Sequence, residues 1–318
     1  MTVTREDLEQ HLDRLRAKVG DPRAGLYGPG TISWEVNREA VIMLGGGAAA
    51  LLQLAHPFVA HAVDQHSQTR ADPLGRFRRT FENVFAMVFG DLSHALASAR
   101  RVHDVHTRIR GRIKEHVGRF ARGDRYEAND EQALLWVHAT LVETSIRVFE
   151  PVVRRLTAEE KDRFYEESKL FAYLFGIPDS VLPPDWRSFC EWYETTIASD
   201  VIAVGGPALE MRRFLLQPPT KLHEPFVGWL EVFTAGLLPP KLRSQFDFRW
   251  TWREELLFRQ SLPLLRASRR ALPARLRYFP AYVEARRRLA GRREHDRVGR
   301  LLEKVALKSL EPRRGAPA

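Results

Sequence analysis

The sequence predicts an all-α protein built as a single helical bundle domain. Three observations favour this class. Helix-capping signals recur along the chain, no convincing segment alternates apolar and polar residues with the period of a strand, and proline pairs separate successive helices. With 318 residues, of which 44% are hydrophobic and 28% charged, the chain can bury a substantial core. We expect one domain over residues 1–318, with a C-terminal helical subregion at about 241–310.

Two helices are predicted by the same N-terminal pattern. Thr4 is followed by Asp7, and Thr157 is followed by Glu160, in each case just before an amphipathic segment. A hydroxyl and a carboxylate at this spacing satisfy two free backbone N–H groups at the start of a helix. The two helices are expected to end at glycines, Gly20 and Gly176.

A long helix is predicted to begin at Asn129 or Asp130 and to run to about Pro151. The second half of the chain is punctuated by proline pairs at 183–184, 218–219 and 239–240. Between and after them we expect helices at about 184–199, 207–216, 222–236, 251–267 and 279–309, the last broken near Gly291.

The segment from Ala40 to Val63 is the nearest approach to a membrane span. It contains three consecutive glycines, Gln53, two histidines and Pro57, which suit a lipid-facing helix poorly. We therefore expect a buried central helix here. The charged N-terminus lacks the apolar stretch of a signal peptide, and the single cysteine, Cys190, allows no disulfide within the chain. A cytoplasmic protein is the expectation.

The formal net charge of +10 raises the question of nucleic-acid binding. The basic residues are spread along the chain and mixed with acidic ones, without a zinc finger or an RNP motif. We therefore expect no nucleic-acid partner. The charge predicts either a positively charged surface that contacts anionic membranes or acidic partners, or simply arginine-rich faces in contact with water.

Three histidines lie in or beside an apolar run, "LLQLAHPFVAHAVDQHS": His56, His61 and His66. Because they are five residues apart, successive side chains point about 140° apart on a helix. They cannot converge on one ion from a straight helix. Packing and hydrogen bonding explain each of them more readily than metal binding.

His106 and His138 are better placed to bind a cofactor. In "RVHDVHTRIRGRIKEHV" we expect one helix with an apolar stripe of Val102, Val105, Ile109 and Ile113, and His106 falls inside that stripe while His103 lies at its edge. In the following long helix His138 lies on the apolar face. A buried imidazole must be hydrogen-bonded or bound to a ligand, so each is either a satisfied core residue or a cofactor contact. Among iron cofactors held by one histidine in an apolar pocket, haem fits best.

A second pair is provided by "RFRRTFENVFAMVFGD", where Arg76 and Thr80 are four residues apart on one helix edge. The planar guanidinium of Arg76 suits a haem propionate or another carboxylate. On periodicity alone, however, a surface arginine and a helix threonine are the favoured interpretation. Motifs of other enzyme classes are missing from the sequence: the Glu-x-x-His of di-iron bundles, the His-Glu-x-x-His of zinc proteases, the phosphate-binding glycine loop and Gly-x-Ser-x-Gly.

Four segments together resemble a known family: "NREAVIMLGGGAAALLQLAHPFVAHAVDQHS", "DPLGRFRRTFENVFAMVFG", "VHDVHTRIRG" and "YEANDEQALLWVHATLVET". This ordered set is similar to the mpaB-type oxygenases and the catalytic domain of latex-clearing protein, the rubber oxygenase, over about residues 30–240. The resemblance implies an all-helical fold with globin-like packing around a b-type haem. It also implies cleavage of carbon–carbon double bonds of isoprenoid chains with dioxygen.

The resemblance assigns roles to individual residues. It implies that His106 is the proximal haem ligand and that Arg76 and Thr80 are the haem-pocket pair. Arg79 stands where the rubber oxygenase has a distal lysine, and arginine is a poor iron ligand because it stays protonated. The position of that family's distal glutamate falls near Ala60. Candidates to replace this base are Glu35, Glu39, His56, His61 and His138.

The resemblance, together with the buried histidines, thus implies a haem b-dependent oxygenase that acts with dioxygen on a lipophilic, isoprenoid-like and unsaturated substrate. His106 is the expected iron ligand, Arg76 and Thr80 the catalytic pair, and His138 and His56 further cofactor-binding residues. The alternatives are a haem-binding sensor or carrier without turnover, a non-haem metal oxygenase, and a structural helical protein whose core histidines are satisfied by neighbours.

Overall fold

Helices make up most of the chain, as predicted. The computed structural model describes residues 1–67, 73–218, 220–292, 295–301 and 304, without the side chains of 73, 74, 76 and 77. In chain order the α-helices are α1 (Arg5–Lys18), α2 (Ile32–Asn37), α3 (Gly46–Leu54), α4 (Pro57–His66), α5 (Pro73–Phe89), α6 (Leu92–His106), α7 (Glu131–Val152), α8 (Ala158–Tyr173), α9 (Trp186–Ala198), α10 (Gly206–Leu215), α11 (Glu224–Leu237), α12 (Pro240–Gln245), α13 (Trp252–Ala271), α14 (Ala274–Arg277) and α15 (Pro280–Leu289). Short 3-10 helices cover Ala40–Gly45 and Lys221–His223.

The predicted helix starts are confirmed by their capping bonds. At α1 the Thr4 hydroxyl accepts from the backbone N–H of Asp7, whose carboxylate accepts from the backbone N–H of Thr4. The same reciprocal pair joins Thr157 and Glu160 at α8. Asp130 caps the long helix α7 by accepting from the N–H groups of the next turn. These local sequence signals therefore fix where the helices begin.

The centre of the molecule is α7. It packs against α3, α8, α13 and the 3-10 helix Ala40–Gly45. Its apolar residues, among them Trp136 and Phe149, join side chains of α9, α11 and α12 in the largest buried cluster. A second cluster lies between α1, α5, α6, α8 and α15, around Phe89, Leu96 and Phe171. The cofactor candidates lie on or beside these two groups of helices.

The prediction of one long helix around His106 is wrong. Helix α6 ends at His106, and the chain then forms a two-stranded antiparallel hairpin of β1 (Arg110–Arg112) and β2 (Arg125–Glu127). Val105, expected in the buried stripe, has 52% of its surface exposed. Ile113 is buried, but against the hairpin residues Phe120 and Tyr126 rather than on a helix face. The apolar residues that suggested a continuing helix, Ile109 and Ile113, instead lie on either side of β1.

The expected central helix over 40–63 is broken. The segment consists of the 3-10 helix, α3, and α4, which begins at Pro57 after a bend of 100°. In the ranges that the structure describes, no single helix is long and apolar enough to cross a membrane. Taken together, the segments Ala40–Leu54 and Pro57–His66 have the length and the apolar composition of a span, but they are bent by 100° relative to each other.

Candidate functional site

The hairpin brings Asn129 beside His106. It reverses the chain after α6, and the backbone N–H of Ala128 donates to the carbonyl of Ile109 at 2.9 Å, so the start of α7 lies next to the end of α6. The buried side chain of Asn129 lies within hydrogen-bonding reach of the His106 ring and raises the pKa of that ring. An effect of this sign is that of an oxygen that accepts from the ring N–H. The sequence analysis did not identify Asn129 as part of the site.

The His106 ring has one satisfied side and one free side. Its Nδ1 atom is buried and has no hydrogen-bond partner among the described residues. Burial lowers the pKa of His106 to about 4, and the Asn129 bond only partly opposes this effect. The ring is therefore neutral near pH 7. A neutral imidazole with one nitrogen oriented by an acceptor and the other unpartnered is the arrangement that metal-binding histidines have.

His138 is buried inside α7, as predicted, and neither of its ring nitrogens has a hydrogen-bond partner within the described part of the chain. Its ring stacks on Phe171 of α8, with the centroids 6.3 Å apart. Burial alone lowers its pKa to about 4. A fully apolar environment does not satisfy an imidazole, since a buried N–H without a partner costs about 1–3 kcal/mol.

His103 is more deeply buried than the sequence predicts. It was expected at the edge of the apolar stripe, yet only 4% of its surface is exposed and both its ring nitrogens lack partners in the described chain. Burial lowers its pKa, and the charges that act on it include Arg5, Asp7 and Glu9 of α1. His103 therefore faces α1, whereas His106 faces the start of α7. The ends of the two side chains point towards different neighbours.

His56 has a structural role at the bend before α4. Its Nδ1 accepts a hydrogen bond from the backbone N–H of Phe58 at 3.2 Å, which caps the helix. The ring packs against Phe58 and Phe120, and burial lowers its pKa to about 4. His61 is also buried, with Nδ1 3.0 Å from the Pro57 carbonyl. The two histidines are thus used in the packing of the α3–α4 corner and the hairpin.

Arg76 and Thr80 lie on α5, which runs antiparallel to α6. The Ser98 hydroxyl donates to the Asn83 side chain at 2.9 Å, and this register places Arg76 on α5 opposite the end of α6 that carries His106. The Arg76 side chain lies outside the described residues. Thr80 is exposed. The backbone thus brings Arg76 and His106 to the same end of the helix pair, while the Thr80 hydroxyl faces solvent.

The two carboxylates that could replace the distal base are both bound to arginines. Arg154 donates to Glu35 through Nε and Nη2, at 2.7 and 2.8 Å. Arg269 donates to Glu39 through the same two nitrogens, at 2.7 Å each. The Arg154 bonds hold the pKa of Glu35 below its usual value. A carboxylate that is already paired in this way is a weak proton acceptor. Among the histidine candidates, His138 has both ring nitrogens without partners in the described chain, and His61 has an unpartnered Nε2.

Beyond these residues, a surface cleft of about 590 Å³ lies between the hairpin, the end of α9 and the start of α10. The carboxylate of Glu115 lines it and accepts from the backbone N–H of Gly206 at 3.0 Å. Across the described ranges, no three or more histidine, cysteine, aspartate or glutamate side chains are grouped so that they could hold a metal ion together.

Comparison with known proteins gives the family. Residues 34–267 match the family described as "ER-bound oxygenase mpaB/B'/Rubber oxygenase, catalytic domain". The chain is also similar to two uncharacterized mycobacterial proteins, Rv2237 of Mycobacterium tuberculosis and Mb2261 of Mycobacterium bovis. Each is 25% identical to it over 248 residues, which cover 74% of this chain and 92% of the relative. No solved structure matches the chain. The family match covers well over half of the sequence, including His106, His138 and Arg76, and the chain therefore belongs to the mpaB and rubber oxygenase catalytic domain family.

Proposed function

We propose that the protein is a haem b-dependent oxygenase that acts with dioxygen on a lipophilic, isoprenoid-like substrate. Membership of an oxygenase family supports the reaction class. The observation that carries the cofactor proposal is the state of His106, whose ring is neutral, oriented by Asn129 on one side and unpartnered on the other. The unpartnered nitrogen of such a ring has a lone pair that can bind an iron ion. Binding the iron would offset the free energy that is lost when this nitrogen is buried without a hydrogen bond.

The residues present fit a haem. His106 would bind the iron, and Asn129 would fix the plane of its ring through the second nitrogen. Arg76, opposite the His106 end of α6, would pair with a propionate. Thr80, one turn further along α5, would form a hydrogen bond near it. When bound, the haem would supply the activation of dioxygen.

His138 is proposed as the polar group on the substrate side. Its ring stacks on Phe171 and has two nitrogens without partners in the described chain, and burial keeps it neutral, so it can form a hydrogen bond to a bound molecule. The neighbouring side chains Phe89, Leu96 and Phe171 are apolar and buried, so a pocket that opened beside His138 would exclude water. This placement favours a lipophilic substrate over a charged one.

The test is the ultraviolet–visible spectrum of the purified protein, before and after addition of hemin, for the wild type, His106→Ala and His103→Ala. We expect a Soret band for the wild type and for His103→Ala, because His103 faces α1. We expect the band to be lost or shifted for His106→Ala. Circular dichroism establishes that each variant is folded.

Two results would overturn the proposal. No Soret band in folded wild-type protein with hemin would exclude the haem. A band unchanged by His106→Ala would exclude this ligand. Where the haem is found, oxygen consumption with unsaturated isoprenoid lipids tests the reaction, and haem binding without turnover on any of them would favour a sensor or carrier.

A further inference from the structure

Helix α13 has apolar side chains on both of its sides. Its inner side packs into the main core through Phe258, Leu262 and Leu265. On its outer side Trp252 and Leu264 have 70% and 67% of their surfaces exposed. A soluble protein rarely leaves a tryptophan and several leucines of one helix in contact with water, so this side calls for a partner.

The exposed residues form one face. At 100° per residue, Trp252, Leu256 and Leu264 lie within about 120° of one another, away from the inner side. We call this set, with Arg253 and Arg270, the α13 outer face. The helix has 20 residues and is therefore about 30 Å long, which suits a helix that lies flat on a surface.

Helix α11, which packs beside α13, has exposed apolar side chains at its start. Trp229 of α11 donates to the Ser261 hydroxyl at 2.8 Å, and Phe233, one turn later, packs on Phe258, so the two helices run antiparallel. One turn before Trp229, Phe226 is about half exposed, and Leu222 just before the helix has 87% of its surface exposed. They lie towards the end of α13 that carries Leu264. Two neighbouring helices thus each expose large apolar side chains.

The charges on this surface are positive. Arg253 lies over the Trp252 ring, with its guanidinium carbon 5.4 Å from the ring centroid. No ion pair joins Arg253 or Arg270 to an acidic side chain of the described chain, whereas Arg259 on the same helix is paired with Glu255. The protein as a whole carries a formal net charge of +10. A helix with exposed tryptophan and leucines bordered by free arginines has the composition of an interfacial helix on an anionic bilayer.

We propose that the α13 outer face, together with Leu222 and Phe226, docks the protein on the surface of a membrane that contains anionic lipids. A second copy of the chain is a less suitable partner for this face. In a two-fold interface the unpaired arginines of one copy would lie against those of the other, and their positive charges would repel each other. The inference stands apart from the proposed haem chemistry, since none of these residues lies in the haem site. Docking would place the oxygenase where a lipophilic substrate is dissolved.

The test is flotation of the purified protein with vesicles of phosphatidylcholine alone and of phosphatidylcholine mixed with phosphatidylglycerol. We expect the wild type to bind the mixed vesicles, to bind phosphatidylcholine weakly, and to be released as salt is raised. Leu256→Glu with Leu264→Glu should weaken binding by about tenfold or more, and so should Arg253→Glu with Arg270→Glu. Arg187→Glu, at an exposed position of α9, makes the same kind of substitution elsewhere with half the change in charge, and should have little effect.

Three results would overturn the inference. The first is that the wild type binds neither kind of vesicle. The second is that the α13 variants bind as well as the wild type does. The third is that Arg187→Glu weakens binding as much as the α13 variants do. A concentration-dependent dimer that Leu264→Glu dissociates, without vesicle binding, would identify a second copy as the occupant instead. The readout does not depend on a cofactor, so failure of the haem proposal and failure of this one are distinguishable.

Discussion

The carboxylate of Glu39 and the guanidinium of Arg269 form a buried bidentate ion pair across 230 residues of sequence, with both N···O distances at 2.7 Å. Glu39 is fully buried, and Arg269 reaches it from the end of α13. Arg38 lies near the same carboxylate, with Nε 3.7 Å from Oε1. The pair joins the segment before the 3-10 helix Ala40–Gly45 to α13, and so connects the two ends of the family-matched region.

Arg269→Met should lower the free energy of unfolding by about 3 kcal/mol, because it leaves a buried carboxylate with only the more distant Arg38. The double change Glu39→Leu with Arg269→Met should cost much less, since it removes both charges. Urea unfolding followed by circular dichroism measures both values.

The matched control is Arg259→Met on the same helix. Arg259 pairs with Glu255 at the surface, where an ion pair contributes at most about 1 kcal/mol. If Arg269→Met and Arg259→Met destabilise the protein equally, the buried pair does not contribute to stability in the way that its geometry indicates.

The protein should lose stability in mild acid through His138. Its pKa is lowered from 6.5 to about 4 in the folded state, so between these values the unfolded chain binds a proton that the folded chain does not. The free energy of unfolding therefore falls as the pH drops through this window and changes little from this cause below it. From pH 7 to pH 5 the loss from this residue should be about 2 kcal/mol. Urea unfolding at the two pH values measures it.

His138→Leu should remove that part of the pH dependence, because leucine does not titrate. His116→Leu changes an exposed histidine and should leave the pH dependence as it is in the wild type. An equally steep loss between pH 7 and pH 5 in His138→Leu would assign the acid sensitivity to other groups. His56 and His106, whose pKa values are lowered in the same direction, are then the next to change.

The helix starts could be predicted from the sequence because capping is local: Thr4 and Thr157 contact residues only three positions away. The end of α6 could not be predicted in this way. The apolar spacing continues past His106 through Ile109 to Ile113, and the hairpin that interrupts it is held by pairing with residues 125–127. Each strand is only three residues long, and arginine and glycine make up most of the six residues. These residue types lack the high β-propensity by which a strand is recognised in a sequence.

The same distinction applies to the candidate site. Periodicity correctly indicated that His138 is buried, since α7 is one long regular helix. It missed Asn129, because the contact between Asn129 and His106 exists only once the hairpin has folded. It also underestimated the burial of His103, which is covered by α1, a helix far away in sequence. Contacts between distant segments are the part of the site that a single sequence does not predict.

Asn129 is expected to orient the ligand ring, and Asn129→Leu tests this role. Without the acceptor, the His106 ring loses the bond that fixes its plane and its protonated nitrogen, so hemin affinity should fall about 10- to 100-fold. Asn129→Asp keeps an acceptor at the same position and should retain most of the affinity. The Soret maximum should shift in Asn129→Leu but not in Asn129→Asp, and a purely structural role of Asn129 would not produce this difference.

Asn37→Leu is the matched control, because it also removes a partly buried amide that bonds only within its own helix, to the Ser33 carbonyl at 2.8 Å. It should cost stability without changing hemin affinity. If Asn37→Leu lowers the affinity as much as Asn129→Leu does, the loss comes from general destabilisation. Hemin titration of all three variants at the same fraction of folded protein separates the two causes, since only the oriented ring depends on the acceptor at position 129.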